Sequence, residues 1–276
     1  KEYLLSKLKE HPSDVDAICT LASVKLELRE GDTEYIKLLE DFLDRFSNGI
    51  DDKQVARIYT NIAFAQDYSR RALDYLIKAK DLKSPYVETY AALGLYYFPD
   101  CDFSKEKKNI VRSNEFFKYA RELENSYESN INYGASLYAL GEYQEAKDIF
   151  EKLITVYPDR MWLKLCIAYC DVALGNKNAA ISYLENIKIG SDDNYDLNTD
   201  DIMEYQVFDA YYALEEYDRF LSYCTEEVES EYYTVDWEHL YYVLWISGKR
   251  DRFTRLEEKN RKYLEGAIAD AIIDTE

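Results

Sequence analysis

Hydrophobic and small residues between Gly134 and Pro158 recur at the spacing of two amphipathic helices joined by a short turn. The stretch reads GASLYALGEYQEAKDIFEKLITVYP. Gly141 lies at the turn, and Pro158 follows the second helix, where a proline commonly ends a helical segment. The pattern therefore predicts a helical hairpin.

The same pattern returns 34 residues further along the chain. The corresponding pairs are Gly134 and Ala168, Gly141 and Gly175, Ala146 and Ala180, and Phe150 and Leu184. Small residues recur because two helices must cross closely at those positions. With this period and a closing proline, the stretch resembles the tetratricopeptide repeat. The resemblance implies a right-handed α-solenoid, in which hairpins stack because a single hairpin cannot bury its apolar face.

Weaker matches extend the pattern over nearly the whole chain. Tyr90, Leu93, Gly94 and Tyr97 match a first helix, and Ser113, Phe117 and Ala120 match a second one. Between them, residues 99–112 are expected to form an inserted loop. We expect an all-α solenoid of about seven hairpins in three parts. The first part is an amino-terminal stack over 1–188, with its best matches over 85–188. The second part is an acidic loop over 189–201, and the third, over 202–276, consists of divergent hairpins and a carboxy-terminal capping helix.

Composition agrees with this fold. Of 276 residues 47% are hydrophobic, and 4 prolines and 9 glycines are too few for the many turns of a long all-β protein. A formal net charge of -20 disfavours nucleic acid and anionic membrane surfaces as partners. Apolar stretches reach about eight residues, far below the roughly 20 of a membrane-spanning helix. An odd number of cysteines and no glycosylation sequon predict a cytoplasmic location.

Residues suited to catalysis are sparse. His11 and His239 stand outside any catalytic motif, and the sequence has no nucleophile elbow, P-loop, zinc-protease or dinucleotide-binding fingerprint. We therefore expect no enzymatic activity and no cofactor. Cys166 and Cys170 share a helix face, but no second ligand pair accompanies them, so burial is favoured over metal binding.

The segment 192–204 offers side-chain oxygens at alternate positions, as an EF-hand loop does. Leu197 replaces the turn glycine of such a loop, and Met203 stands where a bidentate glutamate belongs, with Glu204 one residue later. A solvated acidic loop that ends in a helix N-cap at Asp200 or Asp201 is the favoured interpretation. Calcium binding stays open.

Aromatic and acidic residues coincide on the predicted first helices. Sixteen acidic residues and one arginine lie between Asp192 and Ser247, so this segment carries fifteen of the twenty net negative charges. Positions 5, 9 and 12 of each first helix form a stripe, which lines a concave groove in the resembled family. The candidate partner-binding residues on this stripe are Tyr138, Tyr169, Tyr205, Asp209, Tyr212, Glu238, Tyr242 and Trp245. Phe64 and Phe98 also lie on the stripe but are expected in the core.

Tyrosine doublets such as Tyr211-Tyr212 and Tyr241-Tyr242 are expected to place one ring toward the core and one nearer the surface. A total of 28 tyrosines favours a polar, adaptable interface. The opposing interpretation is that stripe residues pack between hairpins and that surface acid keeps the protein soluble.

Arg57 and Asn61, at positions 5 and 9 of the second hairpin, are further candidates. They resemble one half of the carboxylate clamp by which some family members hold the terminal carboxylate of a peptide. The matching positions of the next two hairpins carry alanine, leucine and isoleucine, which cannot complete a clamp. A working clamp is therefore not expected.

Together these features favour a non-enzymatic scaffold or adaptor that binds a protein or peptide, with an aromatic groove and an acidic carboxy-terminal half that attract a basic or mixed-charge partner. One alternative is an immunity-type inhibitor of a basic enzyme or toxin, which predicts tight one-to-one binding to a folded domain. Because the chain starts at Lys1, the peptide-sensing or regulatory module of a larger protein is another. The sequence does not indicate the oligomeric state.

Overall fold

The computed structural model describes residues 1–28, 32–66, 69–98, 107–187, 204–225 and 237–273, without the side chains of 32–33, 107–108, 204–205 and 263–273. Within these ranges the chain forms fifteen α-helices, one 3-10 turn at Ser47–Gly49, and no strand. None of the described helices has both the length and the apolar character that crossing a membrane requires. The predicted all-α class is confirmed.

After the single helix α1 (Glu2–Glu10), the remaining helices follow one another in seven pairs within the described ranges. The pairs are α2 (Val15–Glu27) with α3 (Asp32–Phe46), α4 (Asp52–Phe64) with α5 (Arg70–Asp81), α6 (Val87–Tyr96) with α7 (Lys107–Leu123), α8 (Tyr127–Leu140) with α9 (Tyr143–Val156), α10 (Met161–Ala173) with α11 (Lys177–Leu184), α12 (Glu204–Ala213) with α13 (Tyr217–Tyr223), and α14 (Trp237–Ile246) with α15 (Arg250–Ile273). First helices of successive pairs also contact each other, as α2 with α4, α4 with α6, and α10 with α12. These hairpins thus pack on their neighbours within each unit, as predicted.

Local interactions explain where several helices begin and end. Asp51 Oδ1 accepts from the Gln54 N–H at 2.8 Å and Gln54 Oε1 accepts from the Asp51 N–H at 3.1 Å, a reciprocal cap that starts α4. The predicted turns at Gly141 and Gly175 are confirmed, because φ is +87° and +76° there, in the left-handed region that suits glycine. Glu215 adopts a φ of 58° at the corresponding turn between α12 and α13.

Helix α7 begins earlier than the sequence predicts. It starts at Lys107, within the expected insertion of 99–112, whose first eight positions lie outside the described residues. Half-buried Ile110 continues upstream the same apolar face that carries the buried Ser113 and Phe117, so the helix extends by more than a turn. The expected loop residue Arg112 is therefore helical, and its guanidinium carbon lies 5.6 Å from the ring centroid of Tyr97.

The chain divides into two compact units, Lys1–Phe150 and Glu151–Glu276. Leu39 is fully buried in the core of the first unit, and Phe208 is fully buried in the core of the second. The acidic loop predicted over 189–201 lies outside the described residues. The division predicted there stays a prediction.

Two glycines of the first unit allow the helices of a hairpin to approach closely. A Cβ placed on Gly134 would lie 2.6 Å from Cε1 of Phe150, and one placed on Gly94 would lie 2.5 Å from Cε1 of Phe117. Both phenylalanine rings are buried and tightly packed, so neither has room to retreat. The small residue predicted at the close crossing is therefore a steric requirement.

We expect Gly134→Ala to lower the free energy of unfolding by about 1 kcal/mol, because an overpacked core costs about 1–3 kcal/mol while alanine gains about 1 kcal/mol in helix propensity. Urea unfolding followed by circular dichroism measures this change. Gly49→Ala is the control, since a Cβ there meets nothing within 4 Å. Equal effects of the two substitutions would contradict the steric account, and the added Phe150→Leu should restore part of the loss.

Candidate functional site

An aromatic and acidic surface on α12 and α14, here called the α12–α14 face, combines most of the predicted site residues of the second unit. Its members are Asp209, Tyr212, Glu238, His239, Tyr242 and Trp245. Helical spacing brings them together, since residues three, four and seven apart share one side of a helix. The side chain of Tyr205, another candidate on α12, lies outside the described residues, so its role stays a prediction.

His239 lies at the centre of this face, although the sequence pattern did not select it. Its imidazole stacks on the ring of Tyr212, with a centroid distance of 3.7 Å and an interplanar angle of 21°. The His239 Nδ1 lies 3.7 Å from Asp209 Oδ1. Tyr212 therefore supports the imidazole by stacking, and the Asp209 carboxylate lies nearby beyond hydrogen-bond distance.

Tyr217, on α13, borders the same face. Its ring centroid lies 6.4 Å from that of Tyr212 and 6.0 Å from that of Tyr242. Desolvation, together with the hydrogen bond between the two hydroxyls of Tyr217 and Tyr242, raises the pKa of Tyr217 to about 12. The phenol thus stays protonated at neutral pH. The stripe contains only positions on first helices, so it does not include Tyr217, which belongs to a second helix.

The outer end of the face is exposed and apolar. Tyr242 is 46% exposed, Trp245 is 57% exposed and the neighbouring Ile246 is 53% exposed. The guanidinium carbon of Arg250 lies 3.4 Å from the centroid of the Trp245 ring, within the range of a cation–π contact. Phe253 supports the indole from the side of α15 at 5.7 Å between ring centroids.

Only part of the predicted acidic patch can be placed. Five of its sixteen acidic side chains lie in the described residues, and two of these, Asp209 and Glu238, belong to the α12–α14 face. Glu216 instead binds Lys177, with 2.8 Å between Nζ and Oε1, and this hydrogen bond lowers the pKa of Glu216. Glu216 therefore stabilises the contact between two hairpins.

Two further candidates have packing roles. The Tyr169 hydroxyl on α10 donates to the backbone oxygen of Gln206 on α12 at 2.8 Å, which joins successive hairpins of the second unit. Tyr138 on α8 is half-buried against Tyr143, with 5.1 Å between ring centroids. The contacts of Tyr138 and Tyr169 thus agree with the alternative interpretation of the stripe, in which its residues pack between helices.

Arg57 and Asn61 lie in the first unit, where they line a pocket of about 450 Å³ together with Thr60, Phe64, Tyr86 and Glu88. Arg57 donates to Asp16 on α2. Burial, the largest single influence, would lower the pKa of Arg57, but the hydrogen bond to Asp16 and the charges of nearby groups together outweigh it and the pKa is raised. The arginine charge is thus engaged by an internal carboxylate.

The expectation that Phe64 belongs to the core is wrong. Its side chain is 53% exposed because it lies at the last residue of α4, where the helix ends and neighbouring helices cover it less. Phe98, the second phenylalanine expected in the core, is half-buried near Phe117.

Metal-binding geometry is not found in the described residues, where no group of three or more histidine, cysteine or acidic side chains is placed to hold an ion. Cys170 is fully buried and Cys166 is half-buried, as expected for packing residues. The calcium question concerns 192–204, of which only the backbone of Glu204 is described, so it stays open.

Comparisons with known proteins agree with the hairpin architecture. A family model described as "Tetratricopeptide repeat" matches residues 131–160. No match was found among curated proteins. The crystal structure of a tetratricopeptide repeat protein from Parabacteroides merdae ATCC 43184 is 15% identical with a TM-score of 0.50, covering 88% of this chain and 89% of that chain. The crystal structure of MamA protein is 14% identical with a TM-score of 0.49, covering 74% of this chain and 95% of that chain.

At such low identity the Parabacteroides structure supports the fold alone. That fold agrees with the seven hairpins, the glycines at their turns and the repeat match at 131–160. The chain is thus similar to tetratricopeptide repeat proteins in its fold, and one stretch of it matches the repeat itself.

Proposed function

We propose that this protein is a non-enzymatic scaffold that binds a basic or mixed-charge segment of a protein or peptide through the α12–α14 face. The tetratricopeptide repeat fold supports the general part of this function, since it is typical of protein–protein interaction scaffolds. The assignment to one face and to one charge class rests on the arguments below.

The first support is the exposure of large aromatic side chains. Tyr242, Trp245 and Ile246 lie next to one another on α14, and each keeps about half of its surface accessible. Aromatic residues dominate binding energy at interfaces because they bury a large, rigid surface at little cost in conformational entropy. Supporting rings behind them, Tyr217 and Phe253, hold this end of the face in place.

The observation that carries the charge preference is the guanidinium of Arg250 on the Trp245 ring, at 3.4 Å. This contact indicates that the indole face can accept an arginine side chain within the same molecule. Because Arg250 is itself exposed, a cation of a partner can exchange with it or stack nearby.

Negative charge near the face also favours a basic partner. Glu238 is exposed one helical turn before Tyr242, and the surrounding segment is strongly acidic in sequence. Surface charge of this kind steers an oppositely charged partner and raises its association rate. Its contribution decreases with salt, since the Debye length falls from about 10 Å at 0.1 M to about 3 Å at 1 M.

Among twelve-residue peptides of matched apolar content, we expect basic peptides to bind most tightly, neutral ones less tightly and acidic ones most weakly. We expect Trp245→Ala to weaken binding of the basic peptides by about tenfold or more, as for an interface hot spot. Fluorescence anisotropy of labelled peptides at two salt concentrations measures both effects. Tyr3→Ala is the matched control, because Tyr3 is an exposed aromatic residue on α1, a helix without buried residues.

The proposed face would be contradicted if the affinity did not depend on peptide charge. It would also be contradicted if Trp245→Ala and Tyr3→Ala changed the affinity equally. Tight one-to-one capture of a folded basic domain, with no binding of linear peptides, would instead support the inhibitor interpretation.

The charge contribution has a separate test. Glu238→Lys should lower the association rate of a basic peptide by about fivefold at low salt and have little effect at 1 M salt, because the interaction is screened there. Stopped-flow mixing measures the rate. Asp159→Lys, an equal charge change at another exposed position of the second unit, is the control. If both variants slow association equally, the net charge of the chain governs binding and Glu238 has no special role.

A further inference from the structure

The pocket of the first unit that contains Arg57 and Asn61 has a chemical character opposite to that of a carboxylate clamp. Its Arg57 guanidinium is hydrogen-bonded to Asp16, from the preceding hairpin. A peptide carboxylate that entered the pocket would have to compete with this internal carboxylate. It would also meet the exposed carboxylate of Glu88, which lines the pocket from the first turn of α6.

Asn61 and Thr60 contribute further polar side chains to the pocket. One side-chain N–H of Asn61 donates to the backbone oxygen of Arg57 at 3.0 Å, and its carbonyl oxygen can accept from a ligand. The Thr60 hydroxyl is buried and bonded to Ala56 and Thr89, so it forms part of the wall. A ligand that donates hydrogen bonds and carries positive charge therefore suits these groups better than an anion.

Aromatic surface completes the pocket. The exposed ring of Phe64 and the half-buried ring of Tyr86 belong to the same lining as Glu88. Aromatic rings beside a carboxylate favour a guanidinium or ammonium group, which gains from both the ring electrons and the charge.

A second, apolar pocket of about 210 Å³ shares Phe64 as a wall. Its other lining residues, all hydrophobic, come from α4, α5 and α6: Ala63, Ala72, Leu76, Ala92, Leu95 and Tyr96. Phe64 thus separates a site with polar and aromatic walls from a hydrophobic one within the same unit. An extended peptide presents side chains two positions apart on the same side, about 6.6 Å from each other, so two such side chains can enter two neighbouring pockets.

We propose that these two pockets form a second binding site, specific for a basic side chain in the Arg57–Glu88 pocket and an apolar side chain two positions away in the Leu76–Leu95 pocket. The site belongs to the first unit and is independent of the α12–α14 face. It uses Asn61, Phe64, Tyr86 and Glu88 for binding, while Arg57 is held by Asp16 and positions the wall of the pocket.

The test uses the full chain labelled with nitrogen-15 and blocked pentapeptides Gly-Arg-Gly-Leu-Gly and Gly-Leu-Gly-Arg-Gly as probes, with citrulline or glutamate in place of arginine for comparison. Backbone amide shifts of residues 57–64 and 86–88 report binding and its location. We expect at least one arginine probe to bind about fivefold or more tightly than its citrulline analogue, as for an ion pair of about 1 kcal/mol, and the glutamate probes to bind most weakly.

Three variants identify the groups responsible. Glu88→Gln should reduce the affinity of the arginine probe about fivefold and leave the citrulline probe unchanged. Glu128→Gln is the control, because Glu128 is an exposed acid at the corresponding first-turn position of α8. Phe64→Ala should weaken the arginine and citrulline probes alike, and Asp16→Asn should raise the affinity of the glutamate probe by releasing Arg57.

Several outcomes would overturn the proposal. One is tighter binding of the glutamate probes by the unmodified protein, which would indicate a functioning carboxylate clamp. Others are equal effects of Glu88→Gln and Glu128→Gln, shifts confined to residues outside 57–64 and 86–88, or no binding of any probe at millimolar concentration. Trp245→Ala should leave these titrations unchanged, so failure here and failure of the α12–α14 face can be told apart.

Discussion

The fold depends on how closely the two helices of a hairpin can cross. At Gly94 and at Gly134 a buried phenylalanine ring of the second helix occupies the space that a methyl group would need. In the second unit the residues that follow the same 34-residue spacing, Ala168 and Ala180, are fully buried. Close crossing lets each hairpin present an apolar side to the next one, and stacking then buries what a single hairpin cannot.

This packing also determines which side chains remain at the surface. Second helices supply the rings that fill the crossings, such as Phe150 and Phe220, while first helices keep one side exposed. The tyrosine doublets illustrate the division. Tyr211 is buried in the core of the second unit and Tyr212 is half-buried beside His239, whereas Tyr241 accepts from Asn260 at 2.9 Å and Tyr242 is exposed. One residue type thus contributes to both the core and the exposed surface.

Features that depend on local sequence were predictable. The helix period, the turns at Gly141 and Gly175, the count of hairpins and the common side of Asp209 and Tyr212 all follow from spacing along a single helix or hairpin. The resemblance to the tetratricopeptide repeat required no more than these spacings.

Features that depend on contacts between hairpins were not predictable. Arg57 meets Asp16 from 41 positions away, and His239 meets Asp209 across two first helices. Phe64 lies on the stripe and is expected in the core, but its exposure is decided by where α4 ends. Each of these outcomes depends on the register between elements and on side-chain conformation, which a one-dimensional pattern does not contain.

The central claim is that the exposed end of the α12–α14 face contacts a basic segment of a partner. The most direct measurement places a photo-crosslinking amino acid at Ile246, beside Trp245, and at Tyr3 for comparison, and maps by mass spectrometry the segments captured from a native lysate. We expect adducts at position 246 to segments rich in lysine or arginine. The yield of these adducts should decrease with salt, and they should be absent at position 3. Adducts to acidic or uncharged segments, or the same adducts at both positions, would contradict it.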